Sequence, residues 1–313
     1  MKRIILILIT SVFFTIISKA ETREEDISKK QLKDEIIYIS EETTPYDGKI
    51  INKNKKGKII LEENYIAGKK EGIEKHYYES EKLLKEIPYI GNKKNGIEKW
   101  YYENEKITKE IPYVNDEKEG IEKKYYESEK LLKETPYTGN KKNGIKRKYH
   151  ENGKISEEVS YINDEKEGME KWYYENGKLL MEIPYVLGKK EGIEKQYYES
   201  GKLLMETPYK LDVIDGIVKC YFENGKLEYE SHHDNSKVEI VIKEYYRNGK
   251  VKHESFYKNG KLSGKEKEYH ENGKLSMEII YENGKKKEEK FYDKEGNSLT
   301  PLDWELLLAE DTE

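Results

Sequence analysis

The chain has a single cysteine, Cys220, with three tryptophans and five phenylalanines in 313 residues. One thiol excludes an internal disulfide framework. So few large apolar rings, in a composition 35% hydrophobic against 39% charged, exclude one large globular core. An excess of positive charge is missing too: 58 Lys and Arg stand against 63 Asp and Glu, a formal net of −5. Strong binding to nucleic acid or to an anionic bilayer needs a basic surface, so the balance argues against nucleic acid and membrane lipid as partners. The Lys-rich stretches 91–95 and 139–143 have Glu nearby, and their counterpart Asn115-Asp116-Glu117 is acidic, which reads as a solvated rim. No Gly-rich phosphate loop and no kinase-type catalytic loop is present.

Long apolar runs are confined to one place. Lys2-Arg3 precedes an apolar stretch over 4–17, followed by Ser18-Lys19-Ala20 and acidic Glu21. A basic start, a short apolar run and a small residue at its end predict a secretory signal peptide over 1–20, cut after Ala20. The stretch is shorter than the ~20 residues of a spanning helix, which disfavours the alternative of an uncleaved anchor. The expectation is export to the periplasm, the outer envelope or the extracellular space.

What is abundant is tyrosine, with 28 copies, and it recurs with a period. Stepping by 24 from Gly168 lands on Gly72, Gly96, Gly120, Gly144, Gly192, Gly216 and Gly264. Tyr173-Tyr174 recurs in step as Tyr77-Tyr78, Tyr101-Tyr102, Tyr125-Tyr126, Tyr197-Tyr198 and Tyr245-Tyr246, and Pro184-Tyr185 as Pro88-Tyr89, Pro112-Tyr113, Pro136-Tyr137 and Pro208-Tyr209. A fixed period of this size is the mark of a repeat array. Asn176-Gly177 between two strand-like runs predicts a type I′ hairpin turn, with φ > 0 at both residues. The second turn, near Leu187-Gly188, is weaker here and clearer at Asn259-Gly260.

A two-residue loop at Asn176-Gly177 pairs Glu175 with Lys178, Tyr174 with Leu179, Trp172 with Met181 and Lys171 with Glu182, so opposite charges meet and aromatic faces aliphatic. Side chains alternate, which puts Trp172, Tyr174, Leu179, Met181, Ile183 and Tyr185 on one face. Met169, Lys171, Tyr173, Leu180, Glu182 and Pro184 take the other. Because 24 is even, every column keeps its face from copy to copy. The predicted fold class is all-β: an elongated single-layer antiparallel β-meander of about ten 24-residue hairpins. The predicted divisions are a charged linker or N-terminal cap over 21–45, the array over 46–298, and a helical cap and tail over 299–313. Within the linker 35–40 reads as a strand, and Asp303 is the expected cap of the final helix.

Candidate chemistry is sparse. Of six histidines, His150 and His270 replace the second Tyr of the pair and read as packing residues. His232-His233-Asp234 has ligand types but no third ligand at a recognised spacing, and neighbouring strand residues face opposite ways, so no metal site is assigned. No catalytic residue and no cofactor is assigned either. The columns that vary are of more interest. Trp100 and Trp172 share one with His76, Gln196 and Cys220, and Met181, Met205 and Tyr229 share its neighbour. An aromatic–Met stripe over Trp100, Trp172, Met181, Met205 and Tyr229 suits a partner protein or a sugar ring. The competing reading is that these side chains pack against the ribbon itself.

The run Tyr-x-x-Gly-Lys-x-x-Gly followed by Tyr-Tyr-x-Asn-Gly-Lys-Leu resembles the MORN-repeat family, in the variant found in bacterial YwqK-type antitoxin-like proteins. That resemblance implies a single-layer β-hairpin ribbon that binds proteins or membranes, with no catalytic residues to carry over. The combined expectation is a non-enzymatic exported scaffold for a protein partner of unknown identity at the cell envelope or surface. Two alternatives stand beside it: an antitoxin or immunity protein that neutralises a toxin, and a cell-wall or glycan-binding array.

Overall fold

The computed structural model describes residues 23–234 and 239–310, and the segment assigned above as a signal peptide lies outside them. The fold is all-β with one short α-helix. Its described residues form two compact units. One runs to Lys106 and includes 113–116; the other holds 107–112 and everything from Glu117 on. The main body of each is a single-layer antiparallel meander. In the first, strands Gly48–Lys53, Ile59–Ile66, Gly72–Tyr77, Leu83–Ile90 and Gly96–Tyr101 pair in succession. In the second, the same succession continues from Gly120–Tyr125 and Leu131–Thr138 to Leu275–Glu282 and Lys285–Tyr292.

The central register is the one the sequence predicts: Lys171 faces Glu182 and Trp172 faces Met181. The turn is different. Tyr173, not Tyr174, stands opposite Leu179, because a β-bulge intervenes after Trp172. The Tyr174 N–H donates to the Lys178 carbonyl and the Gly177 N–H to the Tyr174 carbonyl. Among the turn residues Gly177 has positive φ (90°) and Asn176 does not. This is a type I turn closed by a left-handed residue and a bulge, so the expected type I′ turn and the pairs Glu175–Lys178 and Tyr174–Leu179 are corrected. Type I′ geometry sits at the other end of the hairpin. There Val186 pairs with Lys189 across Leu187 (φ 50°) and Gly188 (φ 77°), and Asn163-Asp164 repeats it at 51° and 72°.

A glycine–proline contact separates one copy from the next. Gly192 holds φ 112°, and a Cβ there would meet the Cγ of Pro184 at 3.1 Å. Gly168, whose counterpart eight residues earlier is Ser160, relaxes to φ 81° with nothing within 4 Å of that position. The proline thus presses on the glycine, which is why a side chain is excluded there.

At the N-terminal side Glu24–Asp26 pairs parallel to Gly48–Lys53, and a separate hairpin forms from Lys30–Lys33 and Ile36–Ile39. Ile37, Ile39, Tyr46, Ile50 and Tyr65 pack into a buried cluster against them. The helix Pro301–Glu310 ends the described chain. Its cap is Thr300, whose hydroxyl accepts from the Asp303 N–H at 3.2 Å, while Asp303 accepts from the Thr300 N–H at 3.3 Å. This reciprocal box corrects the assignment of Asp303 as the cap and leaves Pro301 at the first helical position, where its missing N–H costs nothing. Trp304 stacks on Phe291 at 5.3 Å.

Candidate interaction surface

One face of each unit carries a buried column of charge. Two residues after five of the starting glycines stands a buried glutamate: Glu74, Glu98, Glu122, Glu170 and Glu194. Each accepts from the lysine four residues earlier, Lys94–Glu98 at 2.7 Å, Lys118–Glu122 at 2.9 Å, Lys166–Glu170 at 2.5 Å and Lys190–Glu194 at 2.7 Å, with Lys70–Glu74 alike. The same ammonium lies over a tyrosine ring, as Lys166 does over Tyr185 at 4.5 Å and Lys190 over Tyr209 at 4.4 Å. Cation–π attraction and an ion pair together satisfy a charge that burial would otherwise penalise. Burial pushes the Glu74 carboxyl up, but hydrogen bonds from His76 and Lys70 outweigh it and hold the group at about 2.

The tryptophans belong to this column. The Trp100 indole donates to Glu98 at 2.6 Å and the Trp172 indole to Glu170 at 2.9 Å, while Gln196 donates to Glu194 at 3.0 Å and His76 contacts Glu74 at 2.5 Å. At these four positions the variable column therefore supplies a side-chain nitrogen to the second carboxylate oxygen. Trp100, Trp172, Met181, Met205 and Tyr229 are all half-buried. Trp172 faces Met181, Met205 faces Cys220, and Cys220 faces Tyr229; Trp100, in the other unit, faces Lys85. One copy inverts the charge: Lys146 stands where the others have Glu, and Glu157 across the strand pairs with it at 2.6 Å. The copy at Gly216 replaces the pair by Ile214 and Val218. The pattern Glu-Lys-His, Glu-Lys-Trp, Glu-Lys-Gln was present in the sequence, and the coupling between its first and third members was the overlooked signal.

The opposite face holds a second set of bonds between copies. Tyr173 donates to Glu158 at 3.0 Å and Tyr197 to Glu182 at 2.8 Å, fifteen residues apart in each case. Burial, then the bond to Glu158, pushes the Tyr173 hydroxyl up to about 12. The second tyrosine of each pair straps forward: Tyr174 donates to the Tyr197 carbonyl at 2.8 Å and Tyr198 to the Tyr221 carbonyl at 2.7 Å. His150 keeps the strap, its Nε2–H reaching the Tyr173 carbonyl at 3.0 Å, and His270 does the same to Tyr292 at 2.9 Å. A neighbouring row is left to solvent: Ile121, Ile145, Met169, Ile193 and Ile217 in one unit, Ile73 and Ile97 in the other.

The MORN repeat variant family matches the chain nine times, over 70–90, 94–115, 118–138, 142–163, 166–186, 190–211, 214–235, 239–259 and 262–283, more than half of its length. The chain belongs to that family. MORN repeats are non-catalytic scaffolds that bind proteins or membranes. No curated protein matches the chain. Among solved structures it is similar to the crystal structure of TcdB2-TccC3-TEV, at 10% identity and a TM-score of 0.21, covering 84% of this chain and 18% of that one. It is also similar to the Photorhabdus luminescens Tc holotoxin pore carrying the TccC3-D651A mutation, at 11% identity and a TM-score of 0.21, covering 80% and 17%. The chain spans less than a fifth of either. Among the described residues of this MORN array the most exposed large apolar side chain is Leu187, at 75%, with Leu211 one repeat on at 59%. Both hold φ of 50°, and with Val186, Lys189 and Lys210 they line a groove of about 490 Å³.

Proposed function

We propose that the protein is a non-enzymatic, exported scaffold that holds a protein partner on the turns around Leu187 and Leu211. The observation that carries this reading is the cost of those residues. A non-glycine side chain in the left-handed region costs roughly 1–2 kcal/mol, and most equivalent turns use Asn or Gly, as at Asn115, Gly139 and Asn163, with Ala67 the small exception. A branched apolar residue that is both strained and solvent-exposed stabilises nothing within its own chain. Strain of that kind points to a contact made outside the molecule. An exposed Ile and Met row also runs across neighbouring hairpins at roughly 10 Å per repeat, twice the strand spacing. Export rests on the sequence of the first 20 residues alone.

The test is a double variant, Leu187→Asn with Leu211→Asn. We expect it to unfold at a higher temperature than the native chain and to lose a partner recovered by crosslinking on intact cells. Retention of that partner by the double variant defeats the reading. N-terminal sequencing of the protein from fractionated cells checks export: a chain beginning at Glu21 supports it, and Met1 in the soluble cytoplasm overturns it.

A further inference from the structure

The repeat breaks in several columns at once between Gly216 and Lys252, and the deviating residues meet in one cavity of about 480 Å³. Phe222 takes the place of the strapping tyrosine, so it brings no hydroxyl to the Tyr245 carbonyl, whereas Tyr198 before it and Tyr246 after it both strap forward. Glu228 and Lys252 stand in the column that holds Leu180 and Leu204 in earlier copies, and Tyr229 stands where Met181 and Met205 do. Arg247 occupies the turn position filled by Glu175, Glu199, Glu223 and Glu271 in other copies. All five line the cavity, with Glu244, Tyr245 and Tyr246 completing it.

The arrangement has a definite chemistry. The Arg247 guanidinium lies over the Phe222 ring, 5.7 Å from its centroid, and has no ion-pair partner among the described residues. A guanidinium over an aromatic ring keeps donors of its planar fork for a carboxylate. Glu228 and Glu244 offer acceptors for hydroxyl groups, and Lys252, 3.9 Å from Glu244, offers donors. The rings of Tyr229 and Tyr246 supply apolar surface beside these charges. The volume is within the range of small-molecule sites. We propose that this cavity binds a carboxylated saccharide, with Arg247 on the carboxylate, Glu228 and Glu244 on hydroxyls, and the tyrosine rings against the sugar's C–H face. The site is separate from the leucine surface and stands or falls without it.

The test is calorimetric titration of the chain with methyl glucuronide, methyl galacturonide and the matching neutral glycosides. We expect one or both uronides to bind at least tenfold more tightly than their neutral counterparts. Arg247→Glu, which installs the residue of the neighbouring turns, should weaken that binding at least tenfold while leaving the β-sheet circular dichroism unchanged. Phe222→Tyr, which restores the strap, should weaken it as well; Lys252→Leu, which restores the leucine of earlier copies, provides a second variant with the same expected direction. Absence of binding to both uronides, equal binding of the neutral glycosides, or indifference to Arg247→Glu overturns the proposal. So does saturation by an acidic peptide when neither uronide binds.

Discussion

The copies that begin at Gly192 and Gly216 are sequence neighbours with the same hairpin, and they fill the same column with opposite chemistry. The first holds Lys190 against Glu194 at 2.7 Å, with Gln196 on the second carboxylate oxygen and the Tyr209 ring under the ammonium. The second has Ile214, Val218, Cys220 and His233 at those four places, and His233 turns to Ser231 at 2.8 Å. The substitution is concerted because a buried charge that loses its partner is costly. A buried carboxylate without its lysine is an uncompensated charge, whereas an apolar pair of similar volume is often neutral or better. The inverted copy with Lys146 and Glu157 reaches the same end by a different route. What these copies share is that a buried charge has a partner of opposite sign or is replaced by an apolar side chain.

The most severe test of this contrast is to remove one partner. Glu170→Ala leaves Lys166 and the Trp172 indole without their shared acceptor, and should cost about 3 kcal/mol in urea unfolding. Lys166→Ile with Glu170→Val, which copies the Gly216 column, should recover most of that loss. Equal costs for the single and double variants would show that the column is not a unit. The straps come next: Tyr174→Phe, which copies Phe222, should cost about 1 kcal/mol for the lost bond to the Tyr197 carbonyl. Of similar size and opposite sign is Glu129→Gly. Glu129 holds φ 65° at the turn position that Gly177 fills, so glycine should stabilise by about 1 kcal/mol, read as a higher unfolding midpoint.

The effects of pH come last, and their signs differ between the two faces. Glu74 is held at about 2, below the ordinary carboxylate value of 4.5, so its contribution is present above that value and is lost as pH falls toward 2. The tyrosines bonded to glutamate, Tyr173 and Tyr197 among them, are pushed up to about 12 by burial and then by that bond. Their contribution is present below pH 10 and is lost between 10 and 12. Equilibrium unfolding should therefore show a plateau bounded by an acid limb and an alkaline limb. Tyr173→Phe should reduce the alkaline limb only; an unchanged limb would separate it from these hydroxyls.

Much of the hairpin was legible in the residues themselves. An even period of 24, opposite charges at Lys171 and Glu182, and the pair Trp172–Met181 dictate strand, face and register, because side-chain alternation leaves one register that keeps every column in place. The role of His150 as a stand-in for tyrosine was legible for the same reason. The turns were not. Asn-Gly favours φ > 0 at both positions in a two-residue loop, but the bulge after Trp172 lengthens the loop and gives the left-handed conformation to Gly177 alone. The use of Trp100 and Trp172 as donors to buried glutamates was also hidden, since it depends on which side chains share a column across strands.

Class, period and pairing were already settled in the order of the residues, because they follow from local alternation repeated at fixed spacing. Packing between copies settled the rest: which charges are buried, which tyrosines strap one copy to the next, and where the pattern opens into a cavity between Phe222 and Lys252. Those outcomes depend on contacts across strands, where desolvation makes an unpaired group costly and so fixes its partner. A single hairpin read alone carries no such penalty.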